Sequence, residues 1–195
     1  MPQSRDALIQ SMTVMGVSMG ALIGVPPVLV EIYGTDVRKM YQAGGAPLCF
    51  GLLSMLLSAF LHLLIMSGIM FAAAEALFDA KVPEHLPGYF LTLALFIGAS
   101  LSLAAVLGLL VKSQAKLTMY CQLLFLPSIM LSGIMFPAQL LPDALEKLGR
   151  LFPATWGYQL LGGGVAELSG YALLLTVLAG AAGLCCLLLR RSRCT

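Results

Sequence analysis

Charged residues are scarce in this sequence: they make up 10% of its 195 residues, whereas hydrophobic residues make up 59%. A chain with so little polar surface cannot cover its apolar surface in water, so a water-soluble globular fold is excluded. The mean hydropathy of +0.95 agrees with this conclusion. We therefore predict an integral membrane protein whose surplus apolar surface faces lipid.

The motifs of several enzyme classes are also missing. The sequence has no GxxxxGK[ST] nucleotide loop, no HExxH zinc pair and no GxSxG serine motif. Its five cysteines show no CxxC spacing, which favours buried membrane thiols over a disulfide framework or a zinc site. We therefore expect no catalytic residue, no bound metal and no cofactor bound by this chain. The scattered basic residues give no reason to expect nucleic acid.

Long apolar runs separated by polar breaks are the main feature that is present. A membrane span needs roughly 20 apolar residues, and backbone amides in lipid must be paired within their own segment, so the runs predict helices. We predict an all-α membrane protein with a single transmembrane domain over residues 1–195. Its five spans are expected at about 7–30, 47–74, 89–111, 117–136 and 171–189. No basic region or cleavage site precedes the first run, so we expect no secretory signal.

Two breaks are long enough to hold structure of their own. Residues 31–45 form a polar segment bounded by glycines, which predicts a short surface helix. Residues 137–168 follow a helix that stops at Pro137, and they predict a re-entrant helical hairpin before the last span. Within it, Pro142 suits the first turn of a short helix and Pro153 ends that helix.

One face of the predicted hairpin helix is apolar and consists of Leu141, Leu145, Leu148 and Phe152. Thr155 is placed to cap a second short helix, and Trp156 and Tyr158 suit a membrane interface. Spacing alone leaves two interpretations open. The hairpin is either a gate at the outer end of a substrate path or an interfacial helix that anchors a loop.

Small residues and one histidine mark other predicted helix contacts. Gly16, Gly20 and Gly24 recur every four residues in the first span, which clears a face for close helix packing. His62 lies inside the second span without an acidic partner within a helical turn. A neutral histidine bonded to a neighbouring helix is therefore favoured, and an intramembrane enzyme using His62 or His85 is the least favoured alternative.

Basic residues predict the orientation of the chain. With five spans, alternate breaks share a side, and one side holds seven basic residues against four on the other. The seven are Arg38, Lys39, Lys112, Lys116, Arg190, Arg191 and Arg193. Since basic residues accumulate in cytoplasmic loops, we expect the C-terminus and residues 31–45 in the cytoplasm. The hairpin and the N-terminus of this chain are then extracytoplasmic.

Two stretches resemble the permease subunits of type-2 ATP-binding-cassette (ABC) transporters, which are mostly exporters. The first is LPSIMLSGIMFPAQLLP with the later FPATWGYQLL, similar to that family's fifth span, extracellular hairpin and start of the last span. The second is Val30-Glu31 followed by Gly34-Thr35, similar to the family's E…GT element after its second span. The likeness covers nearly the whole chain.

The resemblance implies a permease of the cell membrane that works as a homodimer or as a heterodimer with a similar chain. ATP and magnesium would be bound by a separate ATPase subunit on the cytoplasmic face, so this chain is not expected to be an enzyme. Residues 31–45 would be the coupling helix, whose contact residues are Glu31, Gly34, Thr35, Arg38 and Lys39. The extracellular gate would consist of Pro137, Pro142, Leu145, Leu148, Phe152, Pro153, Trp156 and Tyr158.

The chain departs from the family pattern at two points. Six spans are usual, so the first span and the amphipathic helix before it are expected to be missing. Tyr33 also stands where the family has a second acidic residue. The alternative function is a non-transporting membrane scaffold or a truncated remnant of such a permease, and a truncated gene or a misplaced start would both explain the departure.

Overall fold

The computed structural model describes residues 8–34, 48–78, 86–111, 113–135, 142–162 and 168–193, and every regular element in these ranges is a helix. They are α1 (Leu8–Met19), a π-helical turn (Gly20–Gly24), α2 (Val25–Gly34), α3 (Leu48–Phe78), α4 (Leu86–Leu110), α5 (Gln114–Leu131), α6 (Asp143–Gly149), α7 (Pro153–Leu161) and α8 (Leu168–Arg193). The predicted all-α class is confirmed.

Four helical stretches are long and apolar enough to cross a membrane. They are Leu8–Glu31, Phe50–Phe78, Leu86–Leu110 and Ser169–Leu188, which match the first, second, third and last predicted spans. The fourth predicted span, at 117–136, corresponds to α5, an 18-residue helix that contains Pro127. Its membrane crossing, and with it the count of five, stays a prediction.

Helix ends differ from the sequence prediction where local chemistry decides them. α5 stops at Leu131 because the Ser132 hydroxyl donates to the Ile129 carbonyl over 2.7 Å and Gly133 then adopts a φ of 94°. This left-handed conformation suits glycine and ends helices. α4 begins at Leu86, before the predicted start, since Pro87 fits the first helical turn, which has no need of its missing N–H.

The central helix is α4, which contacts α1, α2, α3, α5, α7 and α8. Its Leu93, Phe96 and Ile97 side chains have no exposed surface. Ser102 is also buried, and its hydroxyl donates to the Ala99 carbonyl over 2.8 Å, so the polar group is satisfied inside the helix. The remaining helices pack around this one.

The first span is one helical rod whose hydrogen-bond pattern changes at the π-helical turn. Pro26 and Pro27 follow the turn inside α2 and lack backbone N–H groups. In a regular α-helix, the backbone N–H groups at these two positions would donate to the carbonyls of Leu22 and Ile23. Two backbone hydrogen bonds of the helix are therefore missing here. A π turn beside a break in the ladder is one of the usual ways in which a helix accommodates it.

Two of the three predicted glycine contacts of the first span are present. A Cβ at Gly16 would lie 3.2 Å from the Met70 sulfur, and a Cβ at Gly20 would collide with Leu63, so both glycines allow α1 and the π turn to approach α3. A Cβ at Gly24 would meet no atom within 4 Å. Gly24 therefore serves no close contact with another helix among the described residues.

Contacts between helices define two ends of the bundle. At the end that holds α7, hydroxyl pairs join the first two turns of α1, α4 and α8. We call this the α7 end. At the Glu31 end, Leu29 of α2 packs on Gly108, near the last turn of α4. The first span, α4 and α8 therefore run in the same direction through the bundle.

Substitution of Gly108 by alanine should destabilise the bundle. The added Cβ would lie 2.9 Å from the Cβ of Leu29, which is fixed to its backbone and fully buried. We expect the free energy of unfolding to fall by about 1–3 kcal/mol. Gly180→Ala is the matched control, since a Cβ there meets no atom within 4 Å. Thermal unfolding in detergent measures both variants, and equal melting temperatures would contradict the prediction.

Candidate functional site

The candidate gate begins where α5 ends. The backbone turns at Gly133, and a Cβ at this glycine would lie 3.4 Å from the ring of Tyr158 in α7. Tyr158 is partly buried by this contact. Pro137 lies outside the described residues. The turn and α7 are therefore packed on each other although 24 positions separate Gly133 from Gly157, the residue at the centre of α7.

The helix α6 packs against α5 and approaches it closely at Gly149. A Cβ at Gly149 would lie 2.9 Å from the Leu131 carbonyl oxygen, so only glycine fits there. The predicted apolar face is not buried inside the chain: Leu145 is 41% exposed and Leu148 is 55% exposed. Pro142, just before the helix, is exposed as well, and Phe152 is partly buried.

The second hairpin helix, α7, is mostly buried. Its buried residues are Pro153, Ala154, Thr155, Trp156, Gly157 and Leu161. It contacts α1, α4, α5 and α8. A Cβ at Gly157 would lie 2.8 Å from the Phe96 ring, which shows how closely α7 approaches the central helix. The hairpin thus contributes one exposed helix and one helix that belongs to the core.

The predicted capping role of Thr155 is wrong. Phe152 occupies the N-cap in an extended conformation and makes no side-chain cap bond, and Pro153 follows at the first helical position. A proline there leaves no N–H to satisfy, which lowers the need for a cap. Thr155 instead donates to the carbonyl of Gly149 over 2.6 Å and ties the start of α7 to the end of α6.

Trp156 is buried among helices, and its position at a membrane interface stays a prediction. It is 9% exposed, and its ring lies against Gly170, where a Cβ would come within 2.8 Å of Cε3. The indole Nε1–H donates to the Arg150 carbonyl over 2.6 Å. Trp156 and Thr155 therefore both bond backbone carbonyls at the end of α6, and together they fix the angle between the two hairpin helices.

Two hydroxyl pairs lie beside α7, and sequence reasoning did not single them out. The Thr13 and Tyr89 hydroxyl oxygens are 3.0 Å apart, and those of Thr92 and Tyr171 are 2.9 Å apart. The Tyr89 ring also packs on Phe71 at a centroid distance of 5.5 Å. Threonine and tyrosine inside apolar runs were the available signal, because hydroxyls in such runs need partners.

The predicted coupling residues lie only partly within the described structure. Glu31 is exposed in the last turns of α2, and Gly34 is its final residue. Thr35, Arg38 and Lys39 lie outside the described residues. Glu31 and Gly34 stand at the Glu31 end, so the bundle separates them from the hairpin by the length of the helices.

The histidine and cysteine residues in the described part of the chain form no second candidate functional site. His62 is exposed and makes no hydrogen bond to any described residue, so the predicted bond to a neighbouring helix is absent from these residues. Cys121, Cys185 and Cys186 are free thiols, the first two buried. Within the described ranges, no group of three or more metal-ligating side chains occurs.

The link between Thr155 and α6 can be tested by replacing Thr155 with valine. The change keeps the shape of the side chain and removes the donor to the buried Gly149 carbonyl. We expect a loss of about 1 kcal/mol in the free energy of unfolding. Thr118→Val removes a comparable bond, to Gln114 O, at an exposed site and should be close to neutral. A denaturant titration that finds the same loss for both variants would refute the assignment.

Comparison with known proteins identifies the family. A family model described as ABC-2 type transporter matches residues 6–164, which is well over half of the chain. No curated protein and no solved structure matches the sequence. The match extends from the start of α1 through α7 and so includes both the Glu31 end and the hairpin. The chain therefore belongs to the ABC-2 type transporter family and is the membrane domain of an ABC transporter.

Proposed function

We propose that this chain is the permease subunit of an ABC exporter, which moves its substrate with the energy of ATP hydrolysed in a separate subunit. The observation that carries the proposal is the family match over residues 6–164. Four apolar helices of span length agree with a multi-pass membrane location. The sequence has no nucleotide loop, so ATP and magnesium are assigned to the partner ATPase.

Residues 31–45 are the proposed contact with the ATPase. A partner can shift a two-state membrane element only through contacts that differ between the states. Glu31 and Gly34 end the rod formed by α1, the π turn and α2. Leu29, two residues before Glu31, packs directly on Gly108 of the central helix. A displacement at the Glu31 end would therefore be passed to α4 through rigid packing.

The hairpin of α6 and α7 is the proposed gate on the opposite side. Because α7 contacts both α4 and α8 through close approaches at Gly157 and Gly170, a shift of either helix must move it. Shear between packed helices is a common way to open a path. The hydrogen bonds of Thr155 and Trp156 tie the end of α6 to α7, so α6 would move together with α7, with its leucines exposed to lipid or to a partner.

The complete transporter is proposed to be a homodimer or a heterodimer with a similar chain, in the cell membrane. The basic residues support a cytoplasmic C-terminus, a cytoplasmic Glu31 end and an extracytoplasmic α7 end. The N-terminus of this chain is then also extracytoplasmic. Dimerisation would place two Glu31 ends side by side, matching an ATPase that works as a pair.

Replacement of Glu31 by alanine should uncouple the ATPase from the permease. We expect at least about a fivefold lower stimulation of ATP hydrolysis by the permease, since coupling energies are typically 1–3 kcal/mol. Glu75→Ala is the matched control, because Glu75 is also exposed but lies in α3 near the α7 end. The measurement is ATP turnover in proteoliposomes at equal permease content. Equal stimulation by both variants would argue against the coupling role.

Chemical labelling can test the orientation. In a variant without its native cysteines, Leu148→Cys should react with a membrane-impermeant maleimide in intact cells, since Leu148 is 55% exposed on α6. Glu31→Cys should react only in inverted vesicles. The reverse pattern would overturn the orientation and place the hairpin in the cytoplasm.

A further inference from the structure

The first span carries a backbone carbonyl that lacks a donor from its own helix. The Leu22 carbonyl would accept from the N–H of residue 26 in an α-helix or of residue 27 in a π-helix, and both are prolines. Leu22 is only 4% exposed, so its carbonyl lies inside the bundle. A free backbone group at membrane depth is tolerated where protein surrounds it or where it lines a water-filled cavity. The Leu22 carbonyl therefore needs a donor from outside its helix.

Three buried serines near this break leave their hydroxyls unused. Ser18, Ser100 and Ser128 are each 2% exposed, and none of them hydrogen-bonds to a described residue. By contrast, the Ser102 hydroxyl donates to a carbonyl of its own helix. Among the described residues, no side-chain oxygen is both buried and unpaired, so the small accessible surface of the three serines includes their hydroxyl oxygens. These oxygens face a space that a water molecule can enter. Ser67 of α3 resembles them, but α3 packs on the opposite side of the first span.

The Leu22 carbonyl and Ser100 lie at nearly the same depth in the bundle. The contact of Leu29 with Gly108 aligns the first span with α4. Leu22 is seven residues before Leu29, and Ser100 is eight residues before the glycine. At a rise of about 1.5 Å per residue, both lie about 10–12 Å from that contact. Ser100 is also 11 residues, or about three helical turns, after Tyr89, which bonds the first span, so both face it.

Ser18 and Ser128 lie about one helical turn closer to the α7 end. Ser18 is 11 residues before Leu29. It is rotated by about 200° from Gly16 and Gly20, so it faces away from α3. The helix α5 starts beside the end of α4 and lies mainly against the first span. Counted from the short link between α4 and α5, the 14 residues of α5 that precede Ser128 bring it to nearly the depth of Ser18.

The chemistry of these groups selects an uncharged ligand. The Leu22 carbonyl only accepts hydrogen bonds, whereas each serine hydroxyl can donate and accept. The buried polar residues of the described chain are serines and threonines, so no charged side chain is available inside to balance an ion. An ion brought to this depth would stay unpaired at high cost. The group that fits is therefore neutral and carries both a donor and an acceptor, as a hydroxyl or a primary amide does.

We propose that the Leu22 carbonyl and the hydroxyls of Ser18, Ser100 and Ser128 form a binding site for an uncharged hydroxyl or amide group of the transported molecule. We call these four groups the π-turn site. The assignment rests on the proposed transport function, since it names the kind of substrate. Ethers and tertiary amides only accept hydrogen bonds, so they would leave the Leu22 carbonyl unpaired. The site lies between the proposed ATPase contact and the proposed gate.

Thiol labelling tests whether the site is open. In a variant without native cysteines, in liposomes that contain this chain alone, Ser100→Cys should react with 2-hydroxyethyl methanethiosulfonate at least about tenfold faster than Ser102→Cys, whose labelling must await local opening of the bundle. Ser102 is the matched control, because it lies on the same helix and is 8% exposed, more than Ser100. Ser128→Cys provides the same comparison if Ser100→Cys fails to insert. Equal rates, or a faster control, would overturn the site.

Two small amides separate a ligand site from a pocket that holds only water. Acetamide donates and accepts hydrogen bonds, whereas N,N-dimethylacetamide only accepts them. Acetamide at molar concentration should slow the labelling of Ser128→Cys by about twofold or more, since very small ligands bind weakly, and N,N-dimethylacetamide should not. Equal effects of the two amides, or no effect of either, would overturn the assignment. Neither measurement involves an ATPase or transport, so that result would leave the proposed transport function untouched.

Discussion

The constraint on which this structure depends is that a polar group in an apolar environment must find its partner within the protein. The chain meets this constraint mainly through hydrogen bonds from its side-chain donors to its own backbone carbonyls. Thr92 donates to Gly88 O, Thr155 to Gly149 O and Trp156 to Arg150 O. Among the described residues, no buried side-chain nitrogen or oxygen lacks a partner. The polar contacts therefore fix local geometry, and apolar packing around α4 holds the helices together.

Because polar contacts fix local geometry and apolar packing holds the helices together, the two helices of the hairpin differ in burial. The α6 helix has its last carbonyls occupied by Thr155 and Trp156, so its end is satisfied without further burial. It keeps its leucines exposed. The α7 helix uses glycine at its contact with Phe96 and enters the core. In the proposed gate, the exposed helix and the buried helix are adjacent and are joined by two short hydrogen bonds.

The class of the protein and most of the long helices were predictable from apolar runs, since a membrane leaves few alternatives to a helix. The family was predictable from the hairpin and the E…GT element.

The burial of Trp156 was not predictable from the sequence, because an aromatic ring between polar residues suits an interface and a core equally well. The N-cap of α7 was missed because threonine near a helix start usually caps it, whereas here Pro153 removes the need. The exposure of His62 depends on which way α3 is rotated, and its nearly uniform apolar sequence does not encode that rotation.

The π-helical turn Gly20–Gly24 determines which side of the helix each later residue of the first span faces. A π turn adds one residue to the helical cycle, so the residues beyond it are rotated by about 100° relative to an uninterrupted helix. The rod therefore presents Gly16 and the first residue of the turn, Gly20, to α3, and it presents Leu29 to α4 after the turn. Insertion or deletion of one residue here would keep the length of the span nearly constant. It would nevertheless turn Glu31 to a different side of the bundle, so the turn determines the direction in which the Glu31 side chain points.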